Sequence, residues 1–251
     1  MVVGVITNTD KDPGLAYTNM VCDFLAGRGV TVVSDMESQS LLSARFWVVL
    51  GGDGTMLRHS HMAAKYHIPL LGINLGNLGF LTDVEKGEGI QALTHVLAGE
   101  YETENRLMLE TNGHLALNDV YTSAKNGLGV FVVSVNGMEI NTIRADGIIV
   151  ATPTGSTAYN LSAGGPILVP NGNMMVITPV CPHCLDTRPF VIGADDNVQI
   201  VAQHPSSLIV DGENMGDYSA PVHIQRAAHV ATIIKTTPTH LHASLRRKKL
   251  L

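Results

Sequence analysis

The apolar run at residues 46–50 (FWVVL) stops at Gly51-Gly52-Asp53-Gly54-Thr55 and resumes as a segment of helical spacing, and this junction limits how the chain can fold. A short run that is apolar at every position reads as a strand buried on both faces, and strands of that kind belong to parallel sheets covered by helices. The same texture repeats through the first hundred residues. Residues 2–6 form an apolar run, and Met20, Val21, Phe24 and Leu25 then recur at helical spacing up to Gly27-Arg28-Gly29. Residues 30–33 and 69–73 predict further strands, residues 55–66 predict a helix, and Ile90, Leu93 and Leu97 mark one face of another. Strands alternating with helices of this length predict a doubly wound α/β domain over residues 1–99.

From about Tyr101 the pattern changes. Strand-like runs at 106–110 and 114–120 flank Asn112-Gly113, and runs at 128–135 and 138–143 flank Asn136-Gly137. Asn-Gly between two such runs is a strong local sign of a tight hairpin. Further short strands are expected at 147–151, 174–178, 189–192, 198–202, 208–210 and 230–234, with only the segment after Thr154 suited to start a helix. The expectation is a C-terminal, antiparallel β-rich domain over 100–236, followed by a basic tail at 237–251.

Bulk chemistry narrows the function. With 45% hydrophobic and 15% charged residues the 251-residue chain has the balance of a globular protein with a sizeable core. Its formal charge of -6 gives no footprint for nucleic acid, since the one dense basic cluster is Arg246, Arg247, Lys248 and Lys249. No apolar run reaches the ~18 to 20 residues that span a bilayer, and the start of the chain lacks the pattern of a signal peptide. These features predict a cytoplasmic protein without nucleic-acid or membrane partners. Three cysteines make no disulfide framework. Cys181-Pro182-His183-Cys184 has the spacing of a thiol redox pair or half a zinc site, but prolines at 179, 182 and 189 discourage a following helix and no further ligands stand nearby. The plainer reading is a loop with two unpaired cysteines.

The glycine junction carries the first chemical clue. A strand feeding a glycine loop that begins a helix exposes main-chain N–H groups at the positive end of the helix dipole, where phosphate is attracted. Neither G-x-x-x-x-G-K-[ST] nor G-x-G-x-x-G is present. A carboxylate would repel phosphate, so Asp53 serves either as a base facing an incoming hydroxyl or as a ligand to a magnesium ion carried on the phosphates. The same five residues could equally make an ordinary turn in which Asp53 or Thr55 caps the helix. A second clue is RADGIIVATPTGSTAYNLSAGGP at 144–166, where a strand runs into the hydroxyl-rich Thr152-Pro153-Thr154-Gly155-Ser156-Thr157. Asp146 precedes that strand and Asn118-Asp119 ends another run, so several polar loops accumulate with side chains suited to a nucleoside.

Taken together, GGDGT at 51–55, GINLGNLGFLTD at 72–83, LND at 117–119, ADGIIVATPTGSTAYNLSAGGP at 145–166 and DG at 211–212 resemble the NAD kinases, in the family's order. Sequences similar to GGDGT occur in diacylglycerol kinases, sphingosine kinases and phosphofructokinases; TPTGSTAY is far more specific. The resemblance implies phosphorylation of the adenosine-ribose 2'-hydroxyl of NAD, with ATP or polyphosphate as donor and Mg2+ or another divalent cation beside it. It implies an α/β domain plus a β-rich domain with the site in the cleft between them, and a homodimer or homotetramer. It implies Asp53 as catalytic base, with Gly51, Gly52, Gly54, Thr55 and Arg58 around the phosphates. Phe80 would line the adenine side, Asn118 and Asp119 would hold the adenosine part, and Asp146, Thr157, Ala158, Tyr159 and Ser162 would meet the rest of the dinucleotide. This chain departs from the family's Asn-Glu pair at Asp119, one methylene shorter, and follows the pattern only loosely at 181–188. Three rivals remain: a lipid or sugar kinase, disfavoured by the polar loop at 152–157; a non-catalytic dinucleotide sensor, disfavoured by the presence of Asp53; and a thiol oxidoreductase built on Cys181 and Cys184, which requires an activity lost in Cys181→Ser.

Overall fold

The computed structural model describes residues 1–35, 38–76, 79–82, 84–184 and 186–236. The basic tail at 237–251 lies outside the described residues, as do Asn77, Leu78 and Asp83 of the GINLGNLGFLTD stretch. Two compact units emerge, one from Met1–Asn105 together with the chain from Val230 onward, the other from Arg106–His229.

In the first unit, β1 (Val2–Thr7), β2 (Thr31–Val33), β3 (Trp47–Gly51), β4 (Leu70–Asn74) and the short β5 (Val84–Glu85) pair in parallel, in the order β2-β1-β3-β4-β5. The helices are α1 (Ala16–Ala26), α2 (Asp53–Lys65) and α3 (Gly89–Ala98). Side chains alternate across a strand. Val3, Val5, Val48, Leu50, Leu71 and Ile73 on one face pack with Tyr17, Val21 and Leu25 of α1 and Leu93 and Val96 of α3. On the other face Gly72 meets Met56 of α2, so the sheet is wound on both sides as its apolar strands require. The chain leaves β1 toward β2 but leaves β3 toward β4, which makes the carboxyl ends of β1 and β3 the point where the winding reverses. Ligands of open α/β sheets gather at such a point.

The helix expected over 55–66 starts two residues earlier. Gly52 is extended, and its carbonyl already accepts the N–H groups of Thr55 and Met56, so Asp53 falls inside the first turn.

The second unit is antiparallel. After β6 (Glu102–Thr111) come β7 (His114–Ala116), β8 (Asp119–Ala124), β9 (Gly129–Val135), β10 (Met138–Ala145) and β11 (Gly147–Ala151). A short helix α4 (Tyr159–Ser162) precedes β12 (Met174–Val180), β13 (Phe190–Gly193), β14 (Val198–Ala202), β15 (Ser206–Val210), β16 (Glu213–Tyr218) and β17 (Val222–Lys235). One sheet runs β13-β12-β11-β8-β15-β16, and a second runs β10-β9-β14 and on to the start of β17. Val120, Ile148, Val150 and Ile177 of the first meet Phe131, Val133, Ile143 and Ile200 of the second in a sandwich core. Both expected Asn-Gly hairpins form. Asn112 and Gly113 have φ of 49 and 80, Asn136 and Gly137 have 51 and 79, and this double positive φ marks turns whose twist suits antiparallel strands. Asp211-Gly212, at 50 and 85, makes a third hairpin between β15 and β16.

β17 extends well beyond the expected 230–234. It pairs with β14 near Val222 and continues into the first unit, where Ile233 lies beside Leu70 of β4. Among the described residues, no helix is long and apolar enough to cross a membrane.

Candidate functional site

In the first unit the loops after β1, β3 and β4 lie side by side. Asn8 donates its N–H to the Leu50 carbonyl at 2.8 Å, and Leu75 donates to the Gly51 carbonyl at 2.8 Å. Thr55 knits the glycine turn together, because its Oγ1 accepts from the Asn8 side-chain amide at 3.3 Å and from the Gly52 N–H at 3.5 Å. Asp53 stands in the first turn of α2, where the helix dipole favours a carboxylate.

Among the described residues, four donors converge on that carboxylate. Its Oδ2 accepts from the Phe80 N–H at 2.7 Å, and its Oδ1 accepts from the N–H groups of Leu81 and Thr82 at 2.9 and 3.1 Å and from the Thr82 hydroxyl at 3.1 Å. Thr82 Oγ1 in turn accepts from the Asn74 amide at 2.7 Å. Asp53 therefore fixes the loop 79–82 while the loop fixes Asp53. The approach is so close that a Cβ on Gly79 would lie 1.7 Å from Asp53 Oδ1, and only glycine fits there.

The second unit repeats the device. Asp211, in its hairpin, accepts the N–H groups of Leu117, Asn118 and Asp119 at 2.7, 2.7 and 3.0 Å. These bonds explain why the apolar run expected as one strand over 114–120 is broken: main-chain donors that would extend β7 turn to a carboxylate some ninety residues away. Asp119 is left 5% exposed at the head of β8. Burial, and then the neighbouring Asp211 charge, push its carboxyl up to about 7.

The loop 152–157 packs onto this segment. Thr152 donates its N–H to the Asn118 carbonyl at 2.9 Å, and a Cβ on Gly155 would meet the Asn118 carbonyl oxygen at 1.9 Å. The hydroxyls that looked available for a ligand are mostly used internally. Thr152 donates to the Leu117 carbonyl and Ser156 to the Pro153 carbonyl, while Arg106 donates to Thr154. Asn160 bridges the Ser156 and Pro166 carbonyls and accepts from Thr178. What remains presented outward is the next stretch: Thr157 and Ala158 are half-buried, and Tyr159 and Ser162 are exposed. The Tyr159 ring meets Tyr121 edge-on at 5.3 Å. Burial raises the Tyr121 phenol, and Asp146 beside it adds to that rise.

Each residue singled out in the sequence thus has a defined place. Gly51, Gly52, Asp53, Gly54, Thr55 and Phe80 gather around the glycine turn, whereas Arg58 is exposed further along α2, where its charge adds to burial in holding His59 below the ordinary histidine range. Asn118, Asp119, Asp146, Thr157, Ala158, Tyr159 and Ser162 belong to the second unit. The sequence reading missed the anchoring role of Asp211 and the donor loop at 79–82, because backbone donors carry no side-chain signature. Cys181 and Cys184 are exposed and unbonded. Among the described residues, no three His, Cys, Asp or Glu side chains gather to hold a metal ion.

Comparison with known proteins bears on this geometry. A family model described as the ATP-NAD kinase N-terminal domain matches residues 39–101, and one described as the ATP-NAD kinase C-terminal domain matches residues 117–236. The NAD kinase of Ruminiclostridium cellulolyticum is 36% identical, over 98% of this chain and 96% of its own. That of Nitrosococcus oceani is 39% identical, over 99% and 96%. The crystal structure of an NAD kinase from Archaeoglobus fulgidus in complex with ATP is similar in fold, with a TM-score of 0.84 at 26% identity over 94% of each chain.

Proposed function

The chain belongs to the NAD kinase family and is a phosphotransferase that phosphorylates NAD, and from that premise we propose that Asp53 is the base for the adenosine-ribose 2'-hydroxyl, with ATP as donor. The observation that carries the proposal is the fixed carboxylate of Asp53 at the carboxyl end of β3, where the sheet's winding reverses.

A base needs a lone pair for the incoming proton, and a carboxylate has about four such positions. Three of the donors described above crowd Oδ1, where a sugar hydroxyl gains a place if one of them yields. The Thr82 hydroxyl is the one able to yield, since it can rotate away while still accepting from Asn74. Positioning and charge neutralisation dominate phosphoryl transfer, and general-base help adds a factor of about 10² to 10⁴, or roughly 3 to 5 kcal/mol.

In this reading Gly51, Gly52, Gly54 and Thr55 shape the turn around the donor phosphates, and Arg58 adds long-range positive charge. Phe80 lines the adenine side of NAD. Asn118 and Asp119 hold its adenosine, and Asp146, Thr157, Ala158, Tyr159 and Ser162 contact the rest of the dinucleotide. The exposure of Tyr159 and Ser162 beside a loop otherwise consumed by internal hydrogen bonds supports this assignment. A divalent cation such as Mg2+ enters with ATP and is held mainly by the nucleotide's own phosphates, where it neutralises their charge. The proposal extends to a homo-oligomer, dimer or tetramer, working in the cytoplasm.

The test is incubation of the purified chain with NAD, ATP and magnesium, with NADP detected by an NADP-specific dehydrogenase. NADP formation is the expected result. No product with any nucleotide or polyphosphate donor would refute the proposal.

A further inference from the structure

We infer that Lys11, in the loop between β1 and α1, is the cation that binds the phosphates of ATP in this reaction; the inference rests on the kinase reading above. The family resemblance placed nothing in the first 45 residues, and the reason to look there is geometric. Lys11 belongs to one of the two loops that flank the reversal of the sheet, and the glycine turn is the other.

The ammonium is placed directly over that turn. A Cβ on Gly52 would lie 2.7 Å from Lys11 Nζ, and one on Gly76 would lie 3.6 Å from it. The absence of side chains at both glycines is what lets the cation lie against the main chain of two loops at once. Among the described residues, Nζ makes no hydrogen bond or ion pair, although the protein is acidic overall. A lysine lacking an anionic partner among the described residues, held beside the first turn of a helix, can complete a phosphate site as a point charge.

The loop that carries it is well tied down. Asp12, 5% exposed, accepts from the N–H groups of Tyr17 and Thr18 at 3.1 and 2.8 Å and from the Thr18 hydroxyl at 2.7 Å, fastening the loop to α1. Lys11 and Asp12 both donate their N–H groups to the Asn8 carbonyl, and the Asn8 amide reaches Thr55 inside the glycine turn. Position 11 therefore moves with the turn. Arg58, the other candidate cation, is exposed like Lys11 but stands five residues beyond Asp53, about 7.5 Å further along the helix axis, so position and not burial separates the two.

The test compares wild type with Lys11→Met and Lys11→Arg by steady-state kinetics and by calorimetric titration of magnesium-ATP. Lys11→Met keeps the aliphatic stem and removes the charge. The expected result is a KM and a Kd for ATP raised tenfold or more, with the KM for NAD within twofold of wild type, and recovery to within threefold in Lys11→Arg. An ATP affinity in Lys11→Met within twofold of wild type overturns the inference, and so does an equal loss for both substrates. The two readings are separable: a wild type that makes no NADP refutes the kinase assignment, whereas an active wild type with an indifferent Lys11→Met refutes only the role of Lys11.

Discussion

Asp119→Asn should change the pH dependence of stability in a calculable way. The carboxyl rises from 3.8 to about 7 through burial first and the Asp211 charge second. A raised value means that the folded chain keeps a proton that the unfolded chain releases, so the stability from this group is complete below about pH 4 and lost as pH rises through about 7. Three units at 1.36 kcal/mol each amount to roughly 4 kcal/mol across that window. Asparagine mimics the protonated acid and removes the slope. Asp12 is held low by hydrogen bonds from Thr18 and Tyr17 that outweigh its desolvation, and it acts below pH 4, outside the window. His59, lowered by burial and by Arg58, slopes the opposite way but does so in both proteins and cancels in their difference. The sole tryptophan, the fully buried Trp47, offers a fluorescence signal for urea unfolding at pH 4, 5, 6, 7 and 8. The wild type is expected to lose roughly 4 kcal/mol relative to Asp119→Asn over the range pH 4 to 7. A difference that stays flat with pH would refute the buried-acid reasoning.

Two glycine substitutions test the close approaches. Gly155→Ala sets a methyl against the Asn118 backbone, which cannot move aside like a side chain, and should cost about 1 to 3 kcal/mol or more by overpacking. Its urea midpoint should fall and its NAD affinity weaken, as calorimetry would report. Gly79→Ala sets a methyl against the Asp53 carboxylate and should break at least one of its charge-assisted hydrogen bonds, each worth about 1.5 to 3 kcal/mol. NADP formation should drop at least tenfold while the far-UV circular dichroism stays native.

Much of the scaffold was legible because its signals are local. Short apolar runs marked β1, β3 and β4, and Asn112-Gly113 and Asn136-Gly137 announced their hairpins through the backbone geometry those residues favour. The long β17 was not legible, since its Val222 end and its Ile233 end pair with strands far apart in sequence. The site divided the same way. Side chains in motifs could be named from sequence, but what holds them could not. Asp53 is fixed by N–H groups 27 to 29 residues away, and Asn118 and Asp119 are fixed by a carboxylate 92 or 93 positions on. The hydroxyls of Thr152 and Ser156 looked like ligand donors because their residue types are right, yet both are fully buried and committed to carbonyls. Lys11 carried no sign at all, since a lone lysine in a polar turn looks like any other surface lysine.

The most direct measurement is the turnover of Asp53→Asn beside its affinity for NAD. Replacing one carboxylate oxygen by an amide removes the base and one acceptor while keeping the shape. The account predicts kcat for NADP formation about 10² to 10⁴ lower, with the calorimetric Kd for NAD within a few-fold of wild type. Near-normal turnover in Asp53→Asn would contradict it, and so would a natively folded variant that no longer binds NAD.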